Sequence, residues 1–226
     1  MKKLVTFCCG MLAMITIAKA QAPSQIIKHS HDFLVVQLSY DAWAGAPDSI
    51  HTGGLSRGVN IALMYDFPLK EGSHLSVAPG LGISSSNIFF DHQTVAIGQV
   101  NPTLNFNPDS VYKHYKLATA FLEIPIELRY RAFPDNANKG FKAGIGLKFG
   151  TLLNVHTKGK KIVSGGKQTE KISNKRYFQT WRAVATARVG WGNFSVFTNY
   201  TVTSLLKAGT GPTINPVQVG ICLSGL

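Results

Sequence analysis

Cysteine, acidic side chains and long apolar runs are all scarce in this chain, and each scarcity excludes something. Of three cysteines, Cys8 and Cys9 lie in an apolar leader and Cys222 lies near the other end. With the leader removed, Cys222 would be alone, so no intramolecular disulfide could form. Eleven acidic residues face 23 Lys and Arg, giving a formal charge of +12. Removing Lys2, Lys3 and Lys19 with the leader lowers +12 to +9, which leaves the chain strongly basic. After the first twenty residues no apolar run approaches the length of a membrane helix. HExxH, Cys/His pairs at ligand spacing and GxSxG are all missing, so neither a zinc site nor a hydrolase nucleophile is legible. His29, His31 and Asp32 lie close together but in a polar leader. We therefore expect no metal and no cofactor.

What is present begins with export. Lys2 and Lys3 precede an apolar stretch from Leu4 to Ile17, and Ala18-Lys19-Ala20 offers small residues at a cleavage site. The expectation is a signal peptide over 1–20 and one barrel domain over 21–226, with no globular extension. Export also makes nucleic acid a poor partner.

Period-two alternation then recurs eight times. Val59, Ile61, Leu63, Tyr65 and Phe67 oppose Asn60, Ala62, Met64 and Asp66. Leu75, Val77, Leu81 and Ile83 oppose Ser76, Ala78, Gly80 and Gly82. Leu122, Ile124, Ile126, Leu128 and Tyr130 oppose Glu123, Glu127, Arg129 and Arg131. Phe141, Ala143, Ile145, Leu147 and Phe149 oppose Lys142, Gly144, Gly146 and Lys148. Val217, Val219, Ile221 and Leu223 close the series, and 33–41, 178–190 and 194–202 alternate less cleanly.

The connections are unequal. After the second, fourth and sixth strands the chain turns quickly, through 69–72, 134–139 and Gly192-Asn193. After the others it runs on through long polar segments, which compact domains seldom tolerate. Aromatics flank both ends: Tyr65, Phe67, Tyr130, Phe141, Trp191 and Phe194 by the short turns, Tyr40, Phe178, Trp181 and Tyr200 by the long loops. Short turns against long loops, with two aromatic belts, describe a transmembrane barrel rather than a soluble one. The fold expected is an all-β, antiparallel, up-and-down eight-stranded transmembrane β-barrel, placed in the outer membrane.

In that orientation the charged face points inward. Asp41, Asp66, Glu123 and Glu127 should pair there with Arg129, Arg131, Lys142, Lys148, Arg182 and Arg188, because a lone charge in so narrow a lumen costs several kcal/mol. Gly80, Gly82, Gly144, Gly146 and Gly150 should leave room for the long chains. The barrel should be plugged. Outside it, the segment from His156 to Arg176 reads as a loop in which Lys158, Lys160, Lys161, Lys167, Lys171, Lys175 and Arg176 face only Glu170. Such a loop either contacts the phosphates of lipopolysaccharide or an acidic polymer, or is simply solvated.

The segment Leu122-Glu123-Ile124-Pro125-Ile126-Glu127-Leu128 resembles the PorT-like outer-membrane β-barrel family. Phe141-Lys142-Ala143-Gly144-Ile145-Gly146 and Asn199-Tyr200 resemble it too. The resemblance implies an outer-membrane barrel, in some members serving protein secretion, with Pro125 at an inward strand position that calls for a bulge. One departure is the ending Ser224-Gly225-Leu226, where many such barrels carry a terminal aromatic.

Three functional classes follow. The first is a monomeric structural or interaction protein presenting external loops to lipid or to envelope and secretion proteins. The second is a lipid-modifying enzyme using rim residues such as Ser84, Ser85, Ser86, Asp91 and His92. The third is a soluble periplasmic ligand-binding barrel.

Overall fold

The computed structural model describes residues 33–134, 136, 139–163 and 166–225. The leader, the histidine cluster at His29 and His31, part of the 134–139 turn and Leu226 lie outside the described residues.

Among the described residues twelve strands follow in chain order: β1 (Leu34–Ala44), β2 (Arg57–Met64), β3 (Phe67–Pro68), β4 (Leu75–Phe90), β5 (Gln93–Val95), β6 (Phe106–Pro108), β7 (Tyr112–Arg131), β8 (Phe141–Val163), β9 (Gly166–Ser173), β10 (Trp181–Trp191), β11 (Phe194–Thr201) and β12 (Asn215–Ser224). Eight of them form the closed antiparallel barrel, in the order β1-β2-β4-β7-β8-β10-β11-β12, with β12 returning to β1. β3 continues β2 against β4, β5 and β6 form a separate hairpin, and β9 folds back on the upper half of β8.

The barrel is apolar outside and polar inside. On β7, Ile124, Ile126 and Leu128 point outward and Ile124 is 52% exposed. Glu123, Glu127 and Arg129 point inward, with Arg129 only 1% exposed. The same inversion holds on β8, where Ile145 is 63% exposed and Lys148 is buried. Lipid, rather than water, is the solvent that accepts such an exterior.

The tight turns match their residues. Gly192-Asn193 joins Trp191 to Phe194 with Gly192 at φ 58°. A positive φ at the first of two loop residues is the type II′ hairpin geometry, which favours glycine. Pro125 faces the lumen, but no bulge accommodates it. Instead the β4–β7 ladder lapses between Pro79↔Ile126 and Gly82↔Glu123 and resumes in unchanged register. The missing N–H of proline is absorbed by omitting a ladder pair.

Two expectations about the loops need correcting. The strands continue well past the membrane: β8 has 23 residues. At ~3.3 Å per residue and a tilt of about 40°, it rises about 60 Å, against an apolar band of about 25 Å. The segment after His156, read above as a loop, is a β-hairpin in which Lys158 pairs with Lys171. It escapes a period-two reading because a bulge interrupts β8. Ala120 pairs with Asn154 and Phe121 with Leu152, so Leu153 is the extra residue. A one-residue slip exchanges the two faces of a strand. Before the bulge Lys148, Gly150 and Leu152 face inward; after it Val155, Thr157 and Gly159 do.

The long connections, expected to be polar, pack around a second core. Ile50, Ile88, Phe90, Val95, Ile97, Leu104, Leu117, Phe121, Val155, Tyr177, Phe178, Leu205, Leu206 and Ile214 form one apolar cluster across the top of the barrel. Phe178, placed above in an aromatic belt, is 1% exposed inside this cap. Its neighbour Tyr177 donates its hydroxyl to the Gln99 carbonyl at 2.5 Å, and Leu104 N–H reaches the Thr210 carbonyl at 2.7 Å. These bonds tie the loops to one another. Tyr40, Trp181 and Tyr200 remain exposed as the upper belt.

Candidate functional site

Two arrangements stand out: a charge network filling the lumen, and a basic row on the outer surface just above the upper aromatic belt.

The lumen network is built across strands. Arg129 Nη1 donates to Asp66 Oδ1 at 2.7 Å, and Arg131 donates to the other Asp66 oxygen. Glu127 Oε2 accepts from Arg129 Nε at 3.0 Å and from Arg188 Nε at 3.1 Å. Glu123 Oε1 accepts from Arg182 Nη2 at 2.6 Å, and Arg182 also donates to Ser84. Lys142 Nζ donates to Ser224 Oγ at 2.7 Å and Lys148 Nζ to Gln37 Oε1 at 3.1 Å. Asp41 accepts from Ser39, Ser86 and Gln218 Nε2.

β8 makes these pairs possible. Gly144, Gly146 and Gly150 face the lumen between Arg129, Glu127 and Glu123 of β7 and Arg188, Thr186 and Arg182 of β10. With no side chain in between, Glu127 and Arg188, and Glu123 and Arg182, meet over the top of β8. A Cβ at Gly150 would sit 3.1 Å from Glu123 Cγ and 3.4 Å from Arg182 Cγ. Paired and hydrogen-bonded charges are tolerated in such a setting, whereas single ones are not. Voids of about 20 Å³ remain beside the network, room for about one water each. The Arg182 guanidinium lies 3.7 Å from the centre of the Phe121 ring, where the polar lumen ends and the apolar cap begins.

The outer row comes from registers that sequence cannot show. Lys116 of β7 pairs with Lys158 of β8, which pairs with Lys171 of β9. Register partners in a sheet share a face, and this face is the outward one, since Tyr115 and Leu117 on either side of Lys116 are buried in the cap. Arg57 pairs with Tyr40 of the aromatic belt, and both Arg57 and Lys116 lie over the Phe89 ring, at 5.6 and 5.8 Å. Lys116 Nζ donates to Asn87 Oδ1 at 2.7 Å. Burial, then the charges of Lys158, Arg57 and Lys160, push the Lys116 ammonium pKa down. Burial, then Lys171, Lys116 and Lys158, likewise hold His156 below the usual histidine value. The electrostatics thus mark one cationic cluster.

Of the seven cations singled out in the sequence, Lys158 and Lys171 lie in this row, with Lys160 exposed further along β8. Lys161 turns to the other face and bonds Glu170 at 3.3 Å. Lys167, Lys175 and Arg176 are exposed along the hairpin and its base. Arg57 and Lys116 went unnoticed in the sequence, because each stands beyond the run of clean alternation on its strand.

The rim residues do not converge. Ser84 and Ser86 face the lumen, held by Arg182 and Asp41. His92 lies at an exposed turn beside Asp91, 2.8 Å away.

The chain is similar at 12% identity to Ail, the attachment invasion locus protein of Yersinia pestis, whose crystal structure matches 84% of this chain and 95% of that one at a TM-score of 0.35. No curated protein matches it in sequence. The family model for the outer membrane protein beta-barrel domain matches residues 33–205, which takes in the network strands through β11 and the whole basic row. With its closed eight-stranded ring and apolar exterior, the chain belongs to the outer membrane protein beta-barrel domain family.

Proposed function

We propose that this protein is a non-conducting, non-enzymatic barrel that binds lipopolysaccharide phosphates through its outer basic row and so serves envelope integrity. One observation carries the reading. Lys116, Lys158 and Lys171 stand directly opposite one another on three adjacent strands, and like charges so placed destabilise a sheet. Among the described residues no acid pairs with them on that face; Glu170, the acid nearest in sequence, bonds Tyr112 and Lys161 on the other side. An external anion is the missing partner. The row sits just above the aromatic belt, within reach of outer-leaflet phosphates.

The filled lumen supports the absence of a channel, and the separation of Ser84 and Ser86 from His92 supports the absence of catalysis. Closure of the ring leaves no barrel edge for a second subunit, which favours a monomer. The likeness of Leu122–Leu128 to PorT-like barrels supports a place beside protein secretion as a second reading.

The test replaces Arg57, Lys116, Lys158 and Lys171 together by Gln. Association of the refolded barrel with lipopolysaccharide should fall at least about tenfold at low salt, and the wild-type grip should weaken as salt rises. Unchanged association would return the row to a solvated surface. Lipid-A mass spectra from a deletion strain should match wild type; a missing modification would favour the enzyme. Secretion defects in that strain with normal envelope permeability would favour the second reading.

A further inference from the structure

A cavity of about 430 Å³ opens at the extracellular end, between the β5–β6 hairpin, the start of β7 and the β8–β9 hairpin. It falls in the size range of small-molecule sites. Tyr112 and Tyr115 provide an aromatic wall, and Ile172 packs close to Gly98 at one side. The polar lining comes from Thr94, Gln99, Asn107, Asp109 and Glu170.

The hydrogen-bonding capacity of that lining is only half used. Glu170 Oε2 accepts from the Tyr112 hydroxyl at 2.7 Å and from Lys161 at 3.3 Å, while Oε1 has no partner among the described residues. Asp109 Oδ1 accepts from Val111 N–H at 2.7 Å, and its second oxygen is likewise open. Gln99 uses its carbonyl oxygen for Asn101 and leaves its amide donors over. Open acceptors and donors therefore both border the aromatic surface.

Charge selects among ligands. An anion would be repelled by Asp109 and Glu170. A cation would meet Lys161, whose ammonium is already held beside Glu170. Two carboxylates from separate segments fall short of the six to eight oxygens a calcium ion takes. A neutral ligand escapes both repulsions, and hydroxyl groups on adjacent carbons would supply donors to the open carboxylate oxygens and acceptors to Gln99 and Asn107. The C–H face of a sugar ring would lie against Tyr112, whose ring combines an apolar face with a polar tip.

We propose that this cavity binds a neutral saccharide unit. The site is separate from the basic row, and does not depend on it.

The experiment is saturation-transfer NMR on the refolded full-length chain in a zwitterionic, sugar-free detergent. The probes are methyl α-glucoside, methyl β-galactoside and methyl α-mannoside, with glucuronate and glucosamine as charged controls. Transfer to at least one neutral hexoside is expected near about 10 mM, the affinity range of a few unassisted hydrogen bonds. Tyr112→Ala and Glu170→Gln should each cut it about tenfold, and Tyr112→Phe should cut it by less. Lys70→Gln, exposed in the turn at the opposite end of the barrel, should leave it unchanged. Heat-modifiable gel migration confirms that each variant is folded.

A second arm offers oligosaccharide released from the host strain's own lipopolysaccharide. Transfer to that alone would assign the sugar to the protein's own membrane, and equal transfer to all neutral probes would assign it to outside glycans. Absent transfer both to every neutral sugar and to the released oligosaccharide, equal transfer in the Tyr112 and Glu170 variants, or a preference for either charged control would overturn the proposal.

Discussion

The lower and upper halves of this barrel solve opposite problems with the same strands. Below, lipid surrounds the wall, so Ile124, Ile145 and Ile221 face out and the lumen holds Glu123, Glu127, Arg129 and Arg188. Above, water surrounds it, so Leu117, Val155 and Phe178 face in and Lys116, Lys158 and Lys171 face out. On β7 the change is one of residue type alone, from Glu123 to Phe121 at successive inward positions. On β8 it also takes an extra residue, Leu153, to exchange the faces. The environment outside each half, rather than strand pairing, decides what its interior contains.

The comparison can be broken most forcefully at its two centres. Glu127→Gln would leave Arg129 and Arg188 facing each other across β8 without their shared carboxylate. It should cost about 3–5 kcal/mol, seen as a lower urea midpoint for loss of heat-modifiable migration. Phe178→Ala should cost a similar local amount, about 3–5 kcal/mol, yet show as protease cleavage of the external loops while the membrane half stays folded. If both variants lowered the barrel midpoint equally, the halves would be one cooperative unit.

A smaller effect is expected at Gly150→Val, which puts a side chain between Glu123 and Arg182. Overpacking there should cost about 1–3 kcal/mol by the same urea midpoint. Smaller still, and of opposite sign, Lys158→Gln should stabilise the detergent-solubilised protein by about 0.2–1 kcal/mol, by relieving Lys116 and Lys171. In lipopolysaccharide the gain should vanish or reverse.

The pH effect is the mildest. His156 is held below its ordinary value by burial and by the neighbouring lysines. The unfolded chain therefore binds the proton first, so stability is full above about pH 6.5 and declines as pH falls from there toward the folded value. Histidine NMR should show His156 titrating below pH 6.5 in detergent and shifting upward when lipopolysaccharide is added.

Sequence showed the lower half and hid the upper. Strands such as 59–67 and 122–131 alternate cleanly because one neighbour is lipid and the other a narrow polar lumen. Residues 150–163 do not: Leu152 and Leu153 are consecutive and both apolar, which ends the pattern where the bulge begins. The partner register that makes this a bulge is not written in β8 itself. The cap was illegible for a related reason. Ile97, Leu104, Leu206 and Ile214 are scattered through irregular segments with no period, and they meet only when the loops fold over the lumen. Phe178 lies in the cap rather than the belt, and its nearness to a strand end says nothing about which way its ring points.

The wall of β8 turns inside out at Leu153. Spin labels placed singly from Ile145 to Lys160, in bilayers and in a background with Cys8, Cys9 and Cys222 all replaced by Ser, decide this. Oxygen accessibility should peak at 145, 147, 149, 151 and 153; water-soluble nickel accessibility should then peak at 156, 158 and 160, with 155 and 157 protected from both. A profile in which the odd positions stay exposed through 159 would contradict it.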